Sequence, residues 1–414
     1  VEYIGEAAFY ECDGLLDVTI PSRVSKIENL TFRGCGELQK ITLPENLVSI
    51  GDSAFQGCES LQKISIPENV MEIGNSAFAD CRFLKNIKIP SNVKSIKDRT
   101  FEQCNRIETI ELSEGIKDIG EYAFYECGSL KNLELPSSLI EIGNYAFYDC
   151  YDISKLIIPE NVSVIGEFAL TGKISVDSRN DSFMTENGTL FSKNKERLIY
   201  CWLQTSETYK IPKEVQIIGS GAFKASKFQE VIIPEGVIKI EKNAFISSQI
   251  KKISLPSSLM EIGEYAFAYT NLTEIRIPEK VTKIEYESFA NCNELLYVEL
   301  PKTLNEIGSF AFENCEKIKE VYYLGTEDDK KEIQVLNNTE LEKAKWYFGI
   351  NMPDKNPIEP SQPEPSNPDA TLKPGLVGSE NGFTYQVNED GKTCTITGNE
   401  DIHYGELIIP SRIR

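Results

Sequence analysis

The residues of this 414-residue chain with chemistry to offer are 11 cysteines, 64 aspartates and glutamates, 18 tyrosines and one histidine, His403. A single imidazole near the C-terminus leaves no Ser-His-Asp or Cys-His pairing within residues 1–324. Nine cysteines fall at 12, 35, 58, 81, 104, 127, 150, 292 and 315, the first seven at intervals of 23. A thiolate metal site would want a close C-x-x-C pair, which this spacing lacks. Regular spacing could bring the sulfurs near enough for some disulfides. The odd total and the long chain favour a column of small buried thiols instead. A glycosidase-like carboxylate pair is open by count, but residues such as Glu45, Glu68 and Glu160 occupy turn positions that read as a solvated face. Asp177-Ser178-Arg179-Asn180-Asp181 offers oxygens of the type Ca²⁺ takes, without the spacing of a calcium loop. No glycine-rich phosphate cradle occurs. The expectation is a non-enzyme with no cofactor and no metal. What remains is aromatic: Tyr122, Tyr125, Tyr145, Tyr148, Tyr151 and Phe168 form the candidate binding cluster, and Tyr265 and Tyr269 echo it. Exposed aromatics serve protein recognition. The same rings could equally pack coil on coil, and both readings stand at this point.

Such regular spacing requires a repeating element to hold it. Pro21, Pro44, Pro67 and Pro90 are 23 apart, Ser113 takes the next place, and Pro136 and Pro159 continue. After an interruption Pro212, Pro234, Pro256 and Pro278 follow at 22, then Pro301 at 23; 11 of the 19 prolines hold this one position. Phenylalanine recurs at 9, 32, 55, 78, 101, 124 and 147, yields to Leu170, and returns at 223, 245, 267, 289 and 312, which makes 13 coils. Ile64-Ser65-Ile66 alternates in, out, in, the period of a half-buried strand. Pro67 then ends that strand, having no N–H to give a ladder. Glu68-Asn69 suits a turn, Val70 and Ile73 point back inward, and a glycine often follows where the chain must bend. A unit this short cannot enclose a core alone, but stacked on its neighbours it can, which is the logic of a solenoid. At roughly 4.8 Å per coil the array should run about 60 Å. Propeller blades of roughly 40 residues and helical repeats of about 34 do not fit this period.

The coil Ile-Gly-x-x-Ala-Phe-x-x-Cys-x-x-Leu-x-x-Ile-x-Ile-Pro-x-x-Val, read from Ile50 to Val70, resembles the BspA-type, or treponemal, leucine-rich repeat over most of residues 1–324. The resemblance implies a curved, strand-lined solenoid of mainly β and loop structure with a small α/β C-terminal cap. It further implies a bacterial surface or secreted protein, some members being adhesins for host matrix proteins. It implies no particular ligand.

Coils occupy residues 1–170 and 212–324, and 171–211 reads as an inserted β-hairpin element continuing the stack, with Asn187-Gly188 as its turn. The insert is a structural splice or a ligand-contacting protrusion. Residues 325–352 read as the cap, opened by Thr326-Glu327-Asp328-Asp329 in the manner of a capping box, with Asn338 to Ala344 as a second short helix and Trp346-Tyr347-Phe348 as a closing strand. Seven prolines mark 353–378 as an extended linker, and 379–414 reads as the start of a second, truncated array. The chain opens inside a coil at Val1-Glu2-Tyr3, as a piece of a longer polypeptide would.

A net charge of −21 argues against nucleic acid and anionic membrane surfaces. No apolar run reaches the roughly 18 residues of a spanning helix. The expected function is a monomeric, extracellular or cell-surface, adhesin-like module whose partner is a protein or glycan on a host or neighbouring cell. The alternative is a spacer that presents neighbouring domains and has no ligand of its own.

Overall fold

The computed structural model describes residues 1–131, 133–204 and 208–353, and the backbone of 377–380, 383–387 and 394–398. Two compact units divide at Met352/Pro353. The first is a winding of short parallel ladders repeated coil after coil. On one arm strands before the prolines pair with their successors, as Asp17–Thr19 does with Lys40–Thr42 and Asn86–Ile89 with Thr109–Leu112, while the segment before Pro67 makes only isolated bridges at Lys63 to Lys40 and Asn86. On the next arm two-residue strands such as Ser49–Ile50 and Glu72–Ile73 pair in parallel. In both arms the register is one full repeat, so equivalent positions face one another and the inward apolar residues stack on their counterparts. The inward residues, among them Ile64, Leu61, Val70 and Ile73, are all buried.

The third side has no strand. Around each Ala-Phe pair the backbone enters the left-handed region twice, as at Ser53 (φ 52°) and Gly57 (φ 72°). These turns are tied to the following coil by donors from Ser53, Phe55 and Gly57 to the carbonyls of Asn75, Ala77 and Ala79, each 2.8 Å long. The phenylalanines stack inside this wall, with centroids 5.5 Å apart from Phe32 to Phe55 and 5.4 Å from Phe55 to Phe78. That spacing is close to the strand repeat, so ring stacking and hydrogen bonding set the same rise. The glycine of Ile-Gly has a reason other than bending. A Cβ at Gly74 would lie 2.5 Å from the backbone nitrogen of Asp52 in the coil before it, so only glycine lets adjacent coils approach here.

Within the insert, Lys173–Val176 adds a parallel rung to Lys155–Ile158. Phe183–Glu186 and Thr189–Ser192 form an antiparallel pair, and Arg197–Cys201 returns the chain to the second arm beside Ile217–Ile218. The buried core forms two clusters that meet within this insert, Leu190, Ile199 and Tyr200 packing with the first and Met184, Phe191 and Leu198 with the second.

At the far end α1 (Glu327–Glu332) starts from Thr326, whose hydroxyl accepts from the Asp329 N–H while the Asp329 carboxylate accepts from the Thr326 N–H. After α2 (Thr339–Lys343), Lys345–Phe348 pairs in parallel with Glu320–Tyr323 and covers the last rung. Buried Asn338 finishes the turn wall: its amide oxygen accepts from the Phe312 N–H (3.0 Å), and its amide nitrogen donates to the Gly308 carbonyl (2.9 Å). One side chain thus supplies what a further coil would otherwise provide.

The second unit shows three antiparallel strands, Val377–Glu380, Phe383–Val387 and Cys394–Gly398. The proline-rich stretch 354–376 and the repeat-like Leu407-Ile408-Ile409-Pro410 lie outside the described residues.

Candidate interaction surface

The left-handed residue two places before the core phenylalanine is small at Ala7, Ser53, Ser76 and Asn243 and bulky at Leu30, Arg99, Tyr265, Glu287 and Phe310. In coils six to eight it is Tyr122 (φ 56°), Tyr145 (φ 55°) and Phe168 (φ 53°). A bulky residue in this region is uncommon and costs about 1–2 kcal/mol. The turn throws these side chains onto the outside of the wall, where they stack: Tyr122 on Tyr145 at 4.8 Å and Tyr145 on Phe168 at 5.1 Å. The residue after each core phenylalanine makes a second column, Tyr125 on Tyr148 at 5.4 Å. An edge contact of Tyr122 with Tyr125 at 5.3 Å and a tilted contact of Tyr145 with Tyr148 at 5.5 Å join the two. All five rings are half-buried, so packing and display operate together. Arg99 closes the near end, its guanidinium 4.2 Å from the Tyr122 ring. Lys242 flanks the columns and is paired with Glu167 at 2.6 Å. Burial and the neighbouring Glu126 push the Tyr125 phenol up to about 12, and burial raises that of Tyr145. Both therefore stay neutral donors in any physiological medium.

Tyr151 stands apart from the columns. It follows Cys150 onto another side of the coil and is 75% exposed, with its phenol beside Asp149. The later pair behaves differently again: Tyr265 meets Tyr286 edge-on at 5.4 Å, and Tyr269 is exposed.

Beyond Phe168 the wall is interrupted, which the amino-acid pattern shows only as missing Ala-Phe turns between 171 and 211. The backbone ladder runs through the Phe147 N–H to the Ala169 carbonyl and resumes with the Cys201 N–H to the Ala222 carbonyl. A cleft of about 420 Å³ occupies the gap, between Tyr148 and Phe168 on one lip and Gly221 and Lys224 on the other, with Phe183 and Tyr200 inside. Lys224 reaches across, its Nζ 3.6 Å from the centre of the Tyr148 ring and donating to the phenol oxygen. Neither Lys224 nor Gly221 is marked by residue type; only the position after the core phenylalanine, shared with Tyr148, could have singled out Lys224.

The other chemical candidates are structural. The described cysteines are free thiols. Those from Cys35 to Cys150 each donate to the carbonyl of the preceding coil's phenylalanine, as Cys81 does to Phe55 (3.2 Å). Asp177 has both carboxylate oxygens engaged by Arg179, and Asn180 is buried with its amide bonded to the Pro159 and Val162 carbonyls. Among the described residues no group of three or more His, Cys, Asp or Glu is placed to hold a metal, and no helix is long and apolar enough to cross a membrane.

The coil geometry has known counterparts. A leucine rich cell surface protein of Faecalibacterium prausnitzii A2-165 is 27% identical, with a TM-score of 0.60 over 77% of this chain and 82% of its own. The pneumococcal vaccine antigen PcpA (22% identity, TM-score 0.56, 83% and 89% covered) and a leucine-rich repeat protein of Eubacterium ventriosum (22%, 0.56, 85% and 94%) share the fold. No curated protein matches the chain by sequence. The model of the BspA type leucine rich repeat region matches residues 1–108, 71–182 and 199–325. Those matches span most of the chain and the same coils that the ladders define, so the protein belongs to the BspA-type leucine-rich-repeat family.

Proposed function

We propose that this is a non-enzymatic, secreted or cell-surface interaction module, adhesin-like in that it binds a macromolecule on a host or neighbouring cell through the outer face of the solenoid. The observation that carries the reading is the double aromatic column of coils six to eight. Tyrosine and phenylalanine take a backbone position there that smaller residues fill at less cost, and their rings remain half-exposed. Large rigid rings lose little conformational entropy on binding and are enriched in interface hot spots. The fold supports the same reading, since leucine-rich-repeat solenoids typically act as scaffolds for interaction. The F. prausnitzii relative is described as a cell surface protein, which is the location proposed for this one.

The test is a binding screen of the chain against immobilised matrix proteins and glycans at low and physiological salt. The expected result is a saturable, salt-tolerant interaction that weakens about 100-fold when Tyr122→Ser and Tyr145→Ser are combined, two losses of about 1.4 kcal/mol each. An interaction that disappears at physiological salt would instead mark a basic partner held by the −21 charge. A folded chain that binds nothing would make it a spacer.

A further inference from the structure

The cleft at the interrupted wall is built by two specific substitutions in the repeat. In the first column the aromatic series Tyr122, Tyr145, Phe168 is followed by Gly221, at φ 65°. A Cβ there would sit 2.1 Å from the Phe168 ring, so glycine admits the ring and shapes that lip. In the second column Tyr125 and Tyr148 are followed by Thr171 in coil eight and then, across the gap, by Lys224. Two cations line the cleft. Arg197 is committed, both of its terminal nitrogens donating to the Glu241 carboxylate. Lys224 has no carboxylate oxygen within 4.0 Å among the described residues.

We propose that this cleft is a binding site for one carboxylated sugar residue, uronic or sialic, whose carboxylate pairs with Lys224 and whose ring lies against the aromatic walls. Tyr148, Phe168 and Tyr200 offer flat apolar faces for the C–H side of a sugar ring. Asp149, Glu167 and the Ser220 hydroxyl lie on the same lining and accept from ring hydroxyls. A purely apolar acid would leave those carboxylates facing hydrocarbon, which is costly. A multiply charged sulfated or phosphorylated ligand would meet them as like charges, in a protein of net charge −21. The volume lies in the roughly 300–1,000 Å³ range of small-ligand sites. Burial holds the Lys224 amine down to about 8, so the cation is present below that pH and lost above it. The titratable groups that share the cleft are Tyr148, Asp149, Glu167, Arg197 and Tyr200.

The cleft shares Tyr148 and Phe168 with the proposed macromolecular surface, and the experiment separates the two readings. Calorimetric titration of the full chain with D-glucuronate, N-acetylneuraminate, D-glucose and acetate at pH 7 should give saturable binding of one acidic sugar, at least about 10-fold tighter than glucose or acetate. Which acid wins identifies the source. Lys224→Gln should weaken that binding about 10-fold or more, Lys224→Arg should retain part of it, and moving from pH 7 to pH 9 should weaken the wild type but not Lys224→Gln. Tyr122→Ser alone, whose ring touches neither lip of the cleft, should leave it unchanged. Equal binding of all four probes, no binding by a folded chain, or an unaffected Lys224→Gln would each overturn the proposal, whatever the macromolecular screen shows.

Discussion

Six thiols in succession, Cys35 to Cys150, hang from one wall of the solenoid, each donating to a carbonyl of the coil before it. Burial raises their pKa values, that of Cys150 to about 12, while an unfolded cysteine titrates near its ordinary value of 9.0. Above that pH the unfolded chain loses protons that the folded one keeps, so stability falls as pH rises. The urea midpoint is therefore expected to drop between pH 8 and pH 10, and to drop less when Cys81, Cys104 and Cys127 are all alanine. In the native state Cys12, which is exposed, should react with a thiol reagent at once, and Cys35 to Cys150 only on unfolding; peptide mapping of the labelled chain distinguishes them. A column of thiols was readable from the 23-residue spacing. Its hydrogen bonds were not, because they depend on how far each coil is offset from the last.

At the scale of one element, the turn wall is where backbone geometry and side-chain identity are most tightly linked. Asn338 caps it, and Asn338→Ala would leave the buried Phe312 N–H without its acceptor, at a cost of about 1–3 kcal/mol. The effect should show in a denaturant melt and in faster amide exchange over coil thirteen. Gly221→Ala carries two penalties, the left-handed backbone and the contact with Phe168. Together they should exceed about 1 kcal/mol. Adding Phe168→Ala removes only the second penalty, so a double-mutant cycle should show coupling of about 0.5–3 kcal/mol. Additive effects would mean that the ring does not touch the glycine. The strand, proline and phenylalanine positions of the coil were legible from period alone. The left-handed turn was less so, since Ser53, Arg99 and Tyr122 share a backbone conformation but no chemistry.

Across the whole first unit, stability should behave as a sum of coil and coil–coil terms. The insert divides that sum, because the two buried clusters meet within it. Unfolding is therefore expected in two steps. Leu61→Ala should lower the transition of the coils before the insert and Leu295→Ala that of the coils after it, each by about 2–5 kcal/mol. Site-resolved hydrogen exchange checks this, and a single transition shifted equally by both variants would count against the division.

The amino-acid sequence by itself determined the coil, because each repeat buries its own kind: a 23-residue period with fixed proline, phenylalanine and glycine allows few other ways to cover the inward residues. It also determined that aromatic residues would gather in coils six to eight. Only the tertiary structure decided that these rings form two columns, that Tyr151 leaves them, and that the columns end at a cleft. Those outcomes rest on contacts between residues as far apart as Tyr148 and Lys224, 76 positions in the chain. They arise where the repeat fails, and a period carries no information about the gap left by its own absence.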